Sequence, residues 1–398
     1  MRSRYILLIL IFVSLFAGCQ PTNSVSTPVG HTPSPISSTS TPVNSSPWIE
    51  EEISFSFGSN ELFGILTLPP GEGPYPAIVI ISGSVNQTTG VRDGVSARYQ
   101  VEHARRMVLD DYAVLRYDPP GVGRSTGEAG FEPLDQRSEE AIAALHFLQS
   151  RDEIISDKVG LWGISQGAWV VSMTAANYSQ DVAFIIPVSG AGVSVAEQQV
   201  HSIEFESRNA KFSEEDITKA VLIGRLLIDW QLENPIFKEF NITDAQILGN
   251  GPWTSFLELV YDPGDITPSE GFLQVIDILQ SIRDESWTQF LYLNDLYLPS
   301  LLSIPPEEIE TLRALSGPSL LVNPKEYMIS IRCPVLAIFG ELDLLQPSER
   351  SAALFEQYLT EAGNDDFKIV TLLGEGHSTF ISKLVYWDLV SSWLGNLY

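Results

Sequence analysis

Pro76-Ala-Ile-Val-Ile-Ile81 carries no polar side chain on either of its alternating faces. A strand of that composition has to be covered on both sides, as strands of a parallel sheet between two layers of helices are. Ala97, Val101, Ala104 and Val108 then recur at helical spacing, and a second apolar strand runs from Tyr112 to Tyr117. The alternation continues with a helix marked by Ala141, Ala144, Leu145 and Leu148, a strand from Lys158 to Trp162, a small-residue helix from Gly167 and a strand from Val182 to Val188. Repeated β-α units joined by right-handed crossovers predict an α/β fold with a doubly wound, mostly parallel sheet. Upstream, Glu51 to Phe57 and Leu62 to Leu68 flank Gly58-Ser59-Asn60 and read as a hairpin that opens the fold.

The alternation stops at about Gly190 and resumes after Ser330. Between them lie helical segments such as Glu214 to Glu233 and Glu307 to Leu315, broken by prolines. Strand signals return with Val335 to Phe339 and Phe367 to Leu372, alternating with a helix near Ser348 to Glu361 and a last one through Trp393. The core is therefore expected in two parts, 49–190 and 331–398, with a helical cap, 191–330, inserted between them.

The amino terminus has the layout of an export signal over residues 1–18. Arg2 and Arg4 precede an apolar stretch from Tyr5 to Phe16 that is too short to span a bilayer comfortably. Leu15-Phe16-Ala17-Gly18-Cys19 resembles a bacterial lipoprotein signal, which implies a lipid on Cys19. Residues 19–48 are dominated by Ser, Thr and Pro and have too little apolar surface to offset ordering entropy, so they read as an extended tether. The expectation is an exported protein that meets the cell membrane or envelope through this anchor alone. With two cysteines in the chain no disulfide framework is expected, and Cys333, beside Pro334 at the head of an apolar run, reads as a buried inert thiol. A formal net charge of −27 argues against nucleic acid as a partner.

The chemistry is concentrated in three short segments. Gly163-Ile164-Ser165-Gln166-Gly167 sits between a buried strand and a small-residue helix, the context in which G-x-S-x-G forms a turn that lifts a serine above the strand end. The competing reading is an ordinary glycine-rich βα turn. A serine hydroxyl is a weak nucleophile without a base, so a histidine is required. Of five, His31 is in the tether, His103 and His146 fall within helices and His201 is in the insertion, where surface or packing roles suffice. His377 remains, in the loop Gly374-Glu375-Gly376-His377 after a buried strand. The loop after the preceding strand, Phe339-Gly340-Glu341-Leu342-Asp343, offers two carboxylates. Asp118 precedes the serine and suits loop structuring.

Together these segments resemble the serine-aminopeptidase-like branch of the α/β-hydrolases, which includes bacterial esterases. Arg116-Tyr117-Asp118-Pro119-Pro120-Gly121-Val122-Gly123-Arg124-Ser125 is similar to that branch's aspartate loop, and Ile81-Ser82-Gly83-Ser84 to its first oxyanion loop. The likeness covers most of 50–190 and 331–398. It implies Ser165 as nucleophile, His377 as base and, after the glycine of its loop and two intervening residues, Asp343 as acid, with Glu341 left solvated or supporting. It further implies an oxyanion hole from the backbone N–H groups of Gln166 and Ser84. The expected activity is ester hydrolysis through an acyl-enzyme on Ser165, with no cofactor and no metal. The alternatives are amide hydrolysis at a free amino terminus, on a short peptide, or an inactive hydrolase fold that binds at the surface. Phosphoryl transfer lacks its glycine-lysine loop.

Overall fold

The computed structural model describes residues 47–84, 91–129, 132–238, 252–291, 293 and 298–398. The expected signal segment, Cys19 and nearly all of the tether lie outside them. Eight strands form one sheet: β1 (Ile49–Phe57), β2 (Asn60–Leu68), β3 (Tyr75–Ile81), β4 (Ala113–Tyr117), β5 (Ile154–Ile164), β6 (Ile185–Val188), β7 (Val335–Gly340) and β8 (Phe367–Leu372). Their spatial order is β1-β2-β4-β3-β5-β6-β7-β8, and every pairing from β4 to β8 is parallel. The opening hairpin pairs β1 with β2 from Ile49↔Leu68 to Phe57↔Asn60 and adds an antiparallel edge.

Strand alternation divides the core into two layers. Ala77, Val79 and Ile81 face one side of the sheet together with Leu115, Leu161 and Phe339, where helices α2 (Leu134–Gln149), α3 (Gln166–Asn177) and α9 (Ser348–Glu361) cover them. Ile78 and Ile80 face the other with Val114, Trp162 and Ile338, under α1 (Arg98–Met107) and α10 (Leu384–Leu394). Both faces are thus apolar, which is why these strands lack a polar alternation. The strand expected over 182–188 is shorter than its apolar run: Phe184 is fully buried but only Ile185–Val188 pairs as strand. Burial and pairing are separate properties of an apolar run.

The insertion is helical, with α4 (Val195–Asn209), α5 (Glu214–Gln231), α6 (Pro252–Tyr261), α7 (Pro268–Ile282) and α8 (Ile309–Leu321). Ser194 and Thr267 start α4 and α7 with reciprocal capping boxes to Glu197 and Glu270. These helices bury a core of their own around Trp230, Phe256, Phe272 and Trp287. Among the described residues no helix is long and apolar enough to cross a membrane.

His103 on α1 is fully buried and takes the packing role expected of it. Its Nδ1 donates to the Tyr99 carbonyl at 2.6 Å, and its Nε2 accepts from the Tyr386 hydroxyl at 2.8 Å, whose oxygen in turn accepts from Trp162 Nε1 at 2.8 Å. Burial drives the imidazole from its ordinary 6.5 down to about 3. A depressed value means that the unfolded chain takes the proton first, so stability from this site is complete above pH 6.5 and is lost as the pH falls towards 3. Thermal unfolding followed between pH 6.5 and about 4 should therefore show a steeper acid loss for the wild type than for His103→Gln.

Candidate active site

Four loops at the carboxyl ends of β3, β5, β7 and β8 converge beside the end of β6. The one after β5 is the tightest. Ser165 has φ 56° and ψ −122°, a conformation non-glycine residues rarely adopt, and it caps α3. Such a position costs about 1–3 kcal/mol and persists only where its surroundings over-determine it. Here they do. A Cβ on Gly163 would lie 2.3 Å from the Gly167 carbonyl oxygen, and one on Gly167 would lie 2.6 Å from that of Ser82. Strand end, helix start and the loop after β3 are in backbone contact, and both flanking glycines are steric necessities. The Ser165 N–H donates to Val188 at 2.9 Å, which ties the turn to β6.

The residue after Val188 extends that tie. Ser189, at φ 48°, donates from its N–H to Ile338 at 2.8 Å and from Oγ to the His377 carbonyl at 2.5 Å. The loops after β7 and β8 then lock together: Leu342 N–H donates to the Glu375 carbonyl at 2.7 Å, and Gly374 N–H donates to Glu341 Oε2 at 2.8 Å.

Asp343 and His377 meet at this junction. Asp343 Oδ2 lies 2.8 Å from His377 Nδ1, while Oδ1 accepts from the N–H groups of Leu345 and Gln346 at 2.8 and 3.0 Å. A carboxylate only accepts, so Nδ1 carries the proton and Nε2 of the neutral ring keeps its lone pair. Ser165, Asp343 and His377 are 9%, 5% and 8% exposed, each buried against the field-damping effect of water. Glu341 is exposed and holds the Gly374 backbone, a supporting role. Asp118 accepts from Val95 N–H at 2.9 Å and Arg124 N–H at 3.0 Å and organises its own loop.

The two expected oxyanion donors come from adjoining segments. Gln166 is the first residue of α3, where amide N–H groups are unpaired within the helix and the dipole favours negative charge. Ser84 follows Gly83, whose Cβ position is 3.6 Å from Ser165 Cβ. One fully buried residue holds both segments: Arg137 on α2 donates to Gln166 Oε1 and, at 2.6 Å, to the Ser82 carbonyl. Beside it Arg92 forms a bidentate pair with Glu140 at 3.0 and 2.6 Å and also contacts Glu132, and Tyr117 donates to Glu140 at 2.7 Å. Sequence reasoning missed Arg137. Its signal was a pair of charges, Arg137 and Glu140, on the buried face of α2 that also carries Leu134, Ala141, Leu145 and Leu148.

His201, read as a surface or packing residue of the insertion, is laid by α4 against the backbone of Asp343 and Gln346 and stacks on Phe205 at 4.0 Å, a packing position. Burial lowers its pKa, opposed by the Asp343 charge. Cys333 is buried at the head of β7, and desolvation pushes its thiol up to about 12, as suits an inert packing residue.

A sequence model of the X-Pro dipeptidyl-peptidase (S15) family matches residues 63–225, from β2 into the cap. No curated protein matches the sequence significantly. Among solved structures an esterase of Pyrococcus furiosus superposes with a TM-score of 0.51 at 13% identity, over 88% of this chain and 90% of its own. The chain has the α/β-hydrolase fold. A proline iminopeptidase of Mycobacterium smegmatis aligns to this α/β-hydrolase chain at 14% identity and TM-score 0.49, over 87% and 98%. The Est1E protein of Butyrivibrio proteoclasticus, solved with ferulic acid, aligns at 17% and 0.46, over 86% and 96%.

Arg137→Met leaves Glu132 and Glu140 with one buried cation fewer and two loops unclamped. Urea unfolding should show a loss of about 3–5 kcal/mol, the usual effect of removing one partner from a buried charge network.

Proposed function

We propose that the protein is a serine hydrolase that cleaves carboxylic esters. The observation that carries this reading is the 2.8 Å contact between His377 Nδ1 and Asp343 Oδ2, placed at the same sheet end as a serine in a positive-φ turn. In the proposed reaction Ser165 Oγ attacks the ester carbonyl carbon and its proton passes to His377 Nε2. Negative charge on the carbonyl oxygen is met by the N–H groups of Gln166 and Ser84. Collapse breaks the C–O bond to the alcohol, which leaves with the proton from His377. Water then attacks the acyl-enzyme, giving a proton to His377, and the acid departs as the proton returns to Ser165. Asp343 holds the tautomer and faces the imidazolium with its charge.

The match to the X-Pro dipeptidyl-peptidase model favours a second reading, amide hydrolysis at a free amino terminus by the same three groups. An inactive binding protein would have no use for a strained serine at the same sheet end as a hydrogen-bonded Asp-His pair. The proposed site of action is the cell envelope, with the domain held off the membrane by a tether behind a lipidated Cys19.

Ser165→Ala should abolish labelling by a fluorophosphonate and ester turnover together, while the unfolding midpoint stays within a few degrees. Asp343→Asn should cut turnover by about four orders of magnitude and Glu341→Gln far less, because the amide leaves the wrong ring nitrogen protonated. Equal losses for the two variants would exclude Asp343 as the acid. For the anchor, Cys19→Ser should move the protein from the membrane fraction to the soluble one; a wild type already soluble after export would exclude lipidation.

A further inference from the structure

A guanidinium withdrawn from water is costly unless a carboxylate matches it. Arg137 is fully buried, and Glu140, three residues on, shares its face of α2. The expected pair does not form. Arg92 takes Glu140 instead, through two hydrogen bonds at 3.0 and 2.6 Å, and contacts Glu132 as well, while Tyr117 donates to Glu140 at 2.7 Å. Arg137 turns its two Nη groups to neutral oxygens, one to Gln166 Oε1 and the other, at 2.6 Å, to the Ser82 carbonyl. Its Nε has no partner among the described residues. The charge network beside it is thus closed without it, and Arg137 is directed at two points outside that network.

Those two points lie at the joint between α3 and the loop after β3. Gln166 is the residue after Ser165 and opens α3, and Ser82 stands one residue before Gly83, whose Cβ position is 3.6 Å from Ser165 Cβ. The joint is already tight: a Cβ on Gly167 would lie 2.6 Å from the Ser82 carbonyl oxygen and 2.7 Å from that of Ile81. A planar fork fixes the separation of the two oxygens it binds, which a single ammonium donor cannot do. The base of the fork is itself fixed, because Leu134, Ala141, Leu145 and Leu148 bury the same face of α2.

We propose that Arg137 is the positioning residue of the oxyanion hole, and that its fork sets the spacing between the N–H groups of Gln166 and Ser84. The proposal rests on the serine-hydrolase reading and adds to it a residue outside the triad. Arg137 touches no reacting atom and acts through the two backbone donors. Their hydrogen bonds strengthen only when the carbonyl oxygen becomes an anion, so the effect of misplacing them falls on turnover and not on substrate binding. The competing role is a purely structural one, in which Arg137 changes how much protein folds but not what each folded site does.

The test follows p-nitrophenyl acetate hydrolysis by the full chain, with active sites counted from the end point of fluorophosphonate labelling so that kcat is per folded site. Arg137→Lys keeps the charge and loses the fork. Gln166→Met removes one acceptor and leaves the backbone N–H and the Arg92–Glu140 pair in place. Each should lower kcat by about a hundredfold with KM nearly unchanged, the loss that follows when donors shift by about 1 Å. Affinity for a trifluoromethyl ketone, whose serine adduct carries the oxyanion, should fall by the same factor as kcat/KM. The double variant should lose little more than either single one, because both changes break the same link. An unchanged kcat per labelled site, a loss confined to KM, or a double loss equal to the product of the single ones would each overturn the proposal. Gln166→Met decides on its own if Arg137→Lys does not fold. A wild type that fails to label overturns the serine-hydrolase reading beneath the proposal, whereas any of the other contrary outcomes in labelled protein overturns the role of Arg137 alone.

Discussion

Backbone-to-backbone contact at the end of β5 is the constraint on which the rest of the site depends. Gly163, Gly167 and Ser82 lie so close that no side chain fits between the strand, the helix that follows and the loop after β3. Ser165 is forced to positive φ by that closeness, and its N–H is spent on Val188 rather than on its own helix. Because Val188 leads into Ser189, and Ser189 holds both Ile338 and His377, the same contact fixes the serine relative to the loops that carry His377 and Asp343. A parallel sheet makes this possible: every carboxyl end points to the same edge, so residues far apart in the chain arrive side by side.

Beneath that edge lies an ionic network that an apolar core would not need. Arg92 and Arg137 face Glu132, Glu140 and the Tyr117 hydroxyl in a region closed to water. Buried charges of this kind contribute little net stability against well-packed apolar groups. What Arg137 adds is direction, since a planar guanidinium reaches the Gln166 amide and the Ser82 carbonyl at once. The start of α3 and the loop after β3 are joined through one side chain. Desolvation lowers the Arg137 pKa to about 10, with the two glutamates raising it and Arg92 opposing them. The guanidinium still carries its charge at neutral pH.

The cap is a second body of packing laid over the first. Its helices bury Trp230, Phe256, Phe272 and Trp287 among themselves, apart from either layer of the sheet core. Helix α4 bridges the two, with Val195, Ala196 and Val200 in the sheet core and Ile203 in the cap core. Gln198 and His201 face the loop that carries Asp343. A self-sufficient cap core leaves that face free to be polar, which is how a fold shared by many chemistries acquires a particular one.

The order and kind of the elements were legible in the sequence because they depend on neighbours a few residues away. Apolar runs gave the parallel strands, 3.6-residue spacing gave α2, α9 and α10, and G-x-S-x-G between strand and helix gave the turn at Ser165. Single positions resisted that reading wherever their surroundings come from distant parts of the chain. Phe339-Gly340-Glu341-Leu342-Asp343 offers two carboxylates of equal chemistry, and only the crossing of two loops 34 residues apart sets Asp343 against His377 and Glu341 against a backbone amide. His201 looks like any surface residue of a helix until the cap is laid over the sheet. Arg137 reaches Ser82 across 55 residues of sequence. Local periodicity determined what the chain folds into, because backbone and burial preferences act over a turn or a pleat; tertiary structure decided which charges face one another, because electrostatic partnership depends on distance in space and not along the chain.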